Sequence, residues 1–138
     1  MMKKTSKSSV RGAPTIVEFV TDAQLLNLSL SPCQTALLYT VYGLPLTGEY
    51  ADLYRHCTGR TSLPIGPFSE VTVIAGARGG KDSRIAAPIV CYEAVFGGHE
   101  KYLTKGERAV IPLVAQDQRA TRISAGYIFA YFRVFGVK

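Results

Sequence analysis

The stretch Val71-Thr72-Val73-Ile74-Ala75-Gly76-Ala77-Arg78-Gly79-Gly80-Lys81-Asp82-Ser83 decides how the chain is read. Its first five residues are uncharged and mostly β-branched, as a buried parallel strand requires. Glycines follow at once, and residues 84–96 then read as a helix ended by Gly97-Gly98. Pro88 falls in the first turns of that helix, where a missing N–H is least costly, and it is expected to bend the axis. Strand, glycine-rich turn, lysine and helix are the layout of a P-loop, written G-x-x-x-x-G-K-[ST]. Glycines let successive N–H groups turn toward phosphate oxygens. The following helix aims its positive dipole end at the same anion. Gly76, Ala77, Arg78, Gly79, Gly80, Lys81, Asp82 and Ser83 are therefore the candidate phosphate contacts, with Lys81 reaching the β- and γ-phosphates of ATP.

Two departures from the pattern matter. Its first glycine falls on Ala75, with Gly76 one step later. After the lysine stands Asp82, where a Ser or Thr hydroxyl normally holds Mg²⁺, and Ser83 comes next. Three readings are open: Asp82 is the Mg²⁺ ligand, Ser83 takes the role through a shifted register, or the site is crippled.

Upstream, a short helix is expected at residues 23–28. Ser31 then reads as an N-cap with Pro32 at the first helical position. That helix runs through Gln34, Leu37, Leu38 and Val41 and stops at Gly43. Another is expected over residues 49–57, with Tyr50, Leu53, Tyr54 and Cys57 on its apolar face and Gly59 ending it. Residues 59–68, punctuated by Pro64, Gly66 and Pro67, read as a loop. Downstream, residues 109–115 read as a second apolar strand and residues 118–131 as a helix with Ile123, Tyr127 and Ile128 facing in. Strands alternating with helices predict an α/β fold: a partial P-loop NTPase with a parallel sheet, flanking helices and a helical N-terminal prelude. Two strands make a poor free-standing core, so the sheet is expected to be unfinished.

The chain has 138 residues, 47% hydrophobic and 19% charged, which suits one globular domain. Its net charge is +6, but Lys3, Lys4, Lys7 and Arg11 crowd before residue 12 with no acid among them. Residues 1–20 are read as a basic flexible tail, solvated or making weak phosphate-backbone contacts. Residues 21–138 are read as the domain proper. No apolar run is long enough to cross a bilayer and no signal peptide is legible, so no membrane and a cytoplasmic location are expected. Cys33, Cys57 and Cys91 fit no zinc spacing and are read as small buried hydrophobes. His56 and His99 are read as surface or cap residues.

The chain resembles the N-terminal part of the ATPase domain of a tailed-phage terminase large subunit, the DNA-packaging motor. Three stretches carry the likeness. They are Leu30-Ser31-Pro32-Cys33-Gln34 with Leu37-Leu38 and Tyr42-Gly43-Leu44-Pro45-Leu46, then the modified P-loop of residues 71–87 with Arg78 inside it, and Val110 to Ala120. The resemblance implies that Gln34 contacts adenine, that Lys81 binds phosphate, and that Arg78 contacts the γ-phosphate. In many relatives that arginine stands where this chain has Ala77. It implies ATP and Mg²⁺ as cofactors. It also implies double-stranded DNA, a small terminase subunit, a portal ring and the remaining part of the large subunit as partners, in the cytoplasm of a host cell.

No apolar run ending in Asp-Glu follows Lys81, so the carboxylates that would hold the Mg²⁺ water and act as base are missing. No acidic cluster is left for a nuclease domain. The expectation is a truncated, ATP-binding piece that does not turn nucleotide over alone. Two alternatives stand beside it: a non-catalytic interaction or DNA-binding remnant of a P-loop protein, and, fitting less well, a small P-loop kinase.

Overall fold

The computed structural model describes residues 12–135. The basic segment of residues 1–11, which carries most of the expected tail, lies outside them.

Among the described residues every regular element is a helix. Helix α1, Ile16–Thr21, opens on a reciprocal cap: Thr15 Oγ1 accepts from the Glu18 N–H, and the Glu18 carboxylate accepts from the Thr15 N–H at 2.8 Å. It buries Ile16, Phe19 and Val20. Residues 16–20, read as tail, therefore belong to the folded body, and the expected helix at residues 23–28 is replaced by a turn that follows α1. Asp22 shapes that turn by accepting from the Gln24 N–H at 2.7 Å.

Helix α2, Pro32–Val41, starts on the expected Ser31 cap, and Gln34 completes a second capping box. It stops at Gly43, where φ is +63° and a Cβ would collide with the backbone of Gly66 and Pro67. Only glycine serves there. Helix α3, Glu49–Thr58, ends as expected on left-handed Gly59. Leu46, Ala51 and Tyr54 form a small satellite core beneath Tyr39, Tyr50 and Leu63.

Residues Lys81–Ala86 form one wide π-helical turn, and helix α4, Ala87–Phe96, continues from it. The cause is Pro88. It has no N–H to offer the Arg84 carbonyl, and its ring would clash with that carbonyl in a normal α-helix. The chain widens instead, so that the Ala87 N–H bonds the Asp82 carbonyl five residues back. Helix α5, Gln118–Val134, begins on Asp117, whose carboxylate accepts from the Ala120 N–H at 2.8 Å.

The main core joins α1, α2, α4 and α5. Phe19 is fully buried at its centre. It meets Tyr92 and Phe96 edge-on at 5.5 and 5.6 Å and stacks on Phe135 at 5.7 Å. The inward face of α5 is rotated from the expected one: Ser124 is buried and Ile128, Tyr131 and Phe132 pack on the core, while Ile123 and Tyr127 are exposed. Of the cysteines only Cys91 is buried; Cys33 and Cys57 are exposed.

The parallel sheet is the expectation that fails. Residues 71–75 and 109–115 carry strand-like sequence, but no strand or sheet exists among the described residues. A strand is defined by a neighbour that accepts its N–H groups and donates to its carbonyls. Neither segment has one: neither makes a backbone–backbone hydrogen bond to any described residue. The fold is helical, and an α/β assignment does not hold for it. Among the described residues no helix is long and apolar enough to cross a membrane.

Because Phe19 ties three helices together, Phe19→Ala is expected to cost about 3–5 kcal/mol of unfolding free energy. Chemical denaturation followed by helical circular dichroism measures it. A loss below about 1 kcal/mol would mean that the core is not centred on this ring.

Candidate functional site

The glycine-rich turn leaves the body as an exposed loop and re-enters it at Lys81. Its backbone is set by two left-handed residues, Arg78 at φ +61° and Gly80 at φ +73°, with Gly79 between them outside that region. A non-glycine residue held left-handed, as Arg78 is here, costs roughly 1–2 kcal/mol. The Gly79 N–H bonds the Gly76 carbonyl at 3.2 Å and the Arg84 N–H bonds the Gly80 carbonyl at 2.8 Å. A Cβ at Gly80 would lie 2.9 Å from Gln34 Nε2 and 3.0 Å from Arg84 Cγ, so those two side chains would have to shift, and the φ of +73° is what calls for glycine.

Three side chains from the helical body fasten the loop. Gln34 Nε2 donates to the Gly79 carbonyl at 2.9 Å, while its Oε1 accepts from the Ser31 N–H at 2.9 Å. From α5, Ser124 Oγ donates to Asp82 Oδ1 at 2.9 Å, and Tyr131 Oη donates to the Ser83 carbonyl at 2.7 Å. Lys81 Nζ sits 3.0 Å from Asp82 Oδ2, with 61% of the lysine side chain exposed. The hydrogen bond from Lys81 first, and that from Ser124 second, hold the Asp82 carboxyl below the ordinary aspartate value.

Beside the loop an open groove of about 390 Å³ runs between α2, α3 and residues 72–75. Gln34, Thr40, Tyr54 and Thr58 line it from the helices, and Gly79 and Lys81 from the loop. A mostly apolar slot with a few polar groups, ending at a loop of N–H donors and a lysine, suits a flat heterocycle joined to an anionic tail. Among the described residues no group of three or more His, Cys, Asp or Glu gathers to hold a metal ion.

The predicted residues thus meet in one place, with changed duties. Gln34 lines the groove, and its amide fastens the loop to the α2 cap through one bond at each end, which leaves one N–H and one oxygen lone pair over. Asp82 has both oxygens committed to Lys81 and Ser124. The Ser83 hydroxyl makes no hydrogen bond among the described residues. Gly76, Ala77 and Arg78 are exposed on the outer rim. His99 lies apart from this site, paired with Glu93 at 2.6 Å, and Glu93 also accepts from Tyr42 Oη at 2.6 Å.

Ser124 and Tyr131 were not foreseen. They stand seven residues apart on α5, two turns along one helical face. A serine and a tyrosine hydroxyl on an otherwise apolar stripe was the available signal. The chain matches no protein-family model, no curated protein and no solved structure.

The lowered Asp82 value has a pH consequence. Its ionised form is favoured by folding, so its contribution is complete above the ordinary aspartate value, about 3.9, and is lost as pH falls through the lower folded value. Carboxyl NMR titration should place the Asp82 midpoint below about 3.9, and Ser124→Ala should move it upward. A midpoint at or above the ordinary value in the unaltered protein would show that the Lys81–Asp82–Ser124 contacts do not form.

Proposed function

We propose that this chain binds ATP, with the triphosphate against the 76–83 loop and the base in the adjoining groove. The observation that carries the reading is the junction at Gly80-Lys81. A left-handed glycine there opens a helix, an exposed lysine follows it, and the junction borders an apolar groove wide enough for a base. The support is this local geometry and does not depend on a sheet.

The residues present fit an anion in part. Backbone N–H groups of the first turn after Gly80 have no intrahelical partner, as at any helix start, and point toward an incoming phosphate. Lys81 supplies a mobile positive charge, and exposed Arg78 a second one on the rim. Ser83 is the residue whose hydroxyl would hold a Mg²⁺ ion, which would supply positive charge to the phosphates. Asp82 opposes binding, because its carboxylate already occupies Lys81 and adds negative charge near the phosphates. Binding therefore requires Lys81 to turn from Asp82 to the ligand. With no residue identified as a base for water, turnover by the chain alone is not part of the proposal.

On the sequence resemblance, this activity would belong to the large subunit of a phage terminase working in the host cytoplasm. Double-stranded DNA, the portal ring, the small subunit and the remainder of the motor would be its partners. A second reading, a remnant that keeps the loop but has lost nucleotide, is favoured by one observation, the Lys81–Asp82 pair.

Thermal melting with and without Mg²⁺-ATP separates the two. A ligand at a hundredfold excess over its Kd stabilises the folded state by about 2.7 kcal/mol. A rise in Tm with Mg²⁺-ATP that Lys81→Ala abolishes is the expected result. No rise at millimolar ATP in the unaltered protein, but a rise in Asp82→Asn, identifies the remnant. No rise in either protein would overturn nucleotide binding altogether.

A further inference from the structure

The three cysteines divide into one that is sealed and two that are open. Cys91 is fully buried, its thiol lies 3.7 Å from the Ile128 carbonyl it donates to, and burial pushes that thiol up to about 11. Cys33 and Cys57 are exposed, and both line the groove between α2 and α3. They come from its two walls: Cys33 is the second residue of α2, and Cys57 is the last but one of α3.

Helix geometry sets the two open thiols level with each other. Residues 42–48 join α2 to α3, and beside that link Tyr39 of α2 meets Tyr50 of α3 with ring centres 5.5 Å apart. Cys33 lies six residues back from Tyr39, and Cys57 lies seven residues on from Tyr50. At 1.5 Å of rise per residue, these steps are about 9 Å and about 10.5 Å along the two axes, so the thiols stand within about 2 Å of one height. Between them and the aromatic pair, Ala36 and Tyr54 are buried and line the same groove. A side chain as small as alanine at a helix contact lets the two axes approach.

We propose that Cys33 and Cys57 are a redox pair that closes into a reversible disulfide across the groove, with a low-molecular-weight disulfide such as oxidised glutathione as the oxidant. One cysteine gives up its proton to solvent, and its thiolate attacks a sulfur of oxidised glutathione. A protein–glutathione disulfide forms, and one glutathione leaves as a thiolate that takes up a proton. The second cysteine, deprotonated in turn, attacks the protein sulfur of that mixed disulfide. The Cys33–Cys57 bond forms and the second glutathione leaves in the same way, so two protein thiols are oxidised while one oxidised glutathione is reduced to two thiols. An exposed bridge is open to attack by an external thiol, which makes the step reversible. Cys91 has no part in it, being closed to the oxidant and held as the thiol. The bridge ties the two walls of the groove together whether or not a nucleotide enters, so it does not depend on the ATP reading.

Treating the folded protein with oxidised glutathione, quenching with acid and mapping the peptides by mass spectrometry tests this. Trypsin separates the two residues at Arg55, so a bridge shows as two joined peptides. The expected product is lighter by two hydrogens, joins the Cys33 and Cys57 peptides, leaves Cys91 a free thiol, and returns to the starting mass with dithiothreitol. Its Tm should exceed that of the reduced protein, because a bridge that suits the fold restricts only the unfolded chain. Cys57→Ser should stop at a glutathione adduct on Cys33. Glutathione adducts that persist on both cysteines of the unaltered protein would overturn the proposal. So would a bridge that involves Cys91, or a Cys33–Cys57 bridge that lowers Tm, since each would show that the two thiols do not face each other in the folded chain.

Discussion

The burial of Phe19 is the constraint on which the rest of the structure depends. A six-residue helix has no stability of its own, and α1 persists because its one aromatic ring fills the space between Tyr92, Phe96 and Phe135. Tyr92 in turn meets Tyr42 edge-on at 5.3 Å and donates from its hydroxyl to the Pro14 carbonyl at 2.8 Å. The start of the described chain, the end of α2, the body of α4 and the end of α5 are thereby held at one point. Once α4 and α5 are fixed against each other, Ser124 and Tyr131 are carried to the π-helical turn, and the glycine loop has something rigid to hang from.

That suspension differs from the one that strand-to-helix turns usually enjoy. A loop between a strand and a helix inherits its geometry from the sheet. Here the support is three side-chain hydrogen bonds, from Gln34, Ser124 and Tyr131. Each is worth about 0.5–1.5 kcal/mol, more where a charged group takes part. The loop is placed, but by modest forces, and one of them draws on the carboxylate that also holds Lys81. The same contact that orders the turn would compete with the phosphates proposed to bind there.

Much of this was legible in the sequence wherever the signal is local. Ser31 and Pro32 announce α2, Gly43 and Gly59 end helices through left-handed backbone that other residues resist, and the Gly80-Lys81 pair marks the loop. Pro88 announces a disturbance, although a π turn rather than a bend resulted. What failed is non-local. The β-branched run at 71–75 records a preference for extended chain, but a strand exists only with a partner, and no propensity in five residues says whether one is present. The face of α5 was misjudged for a related reason. Apolar spacing singled out Ile123 and Tyr127, whereas the buried register is fixed by Ser124 and Tyr131 reaching a loop some forty residues upstream. The small α1 was taken for tail because its helix signal is short and its stability comes entirely from rings far away in sequence.

The claim at the centre of this account is that loop amides and Lys81 receive a nucleotide's phosphates while the groove between α2 and α3 receives its base. Titrating Mg²⁺-ATP into isotopically labelled protein and following backbone and side-chain amide resonances tests it most directly. The account predicts that Gly79, Gly80, Lys81, Asp82 and Ser83 shift together, with the Gln34 side chain and with Thr40 and Thr58 of the groove, along one saturating curve. Shifts confined to exposed lysines and arginines elsewhere, with the loop and groove unmoved at saturating nucleotide, would contradict it.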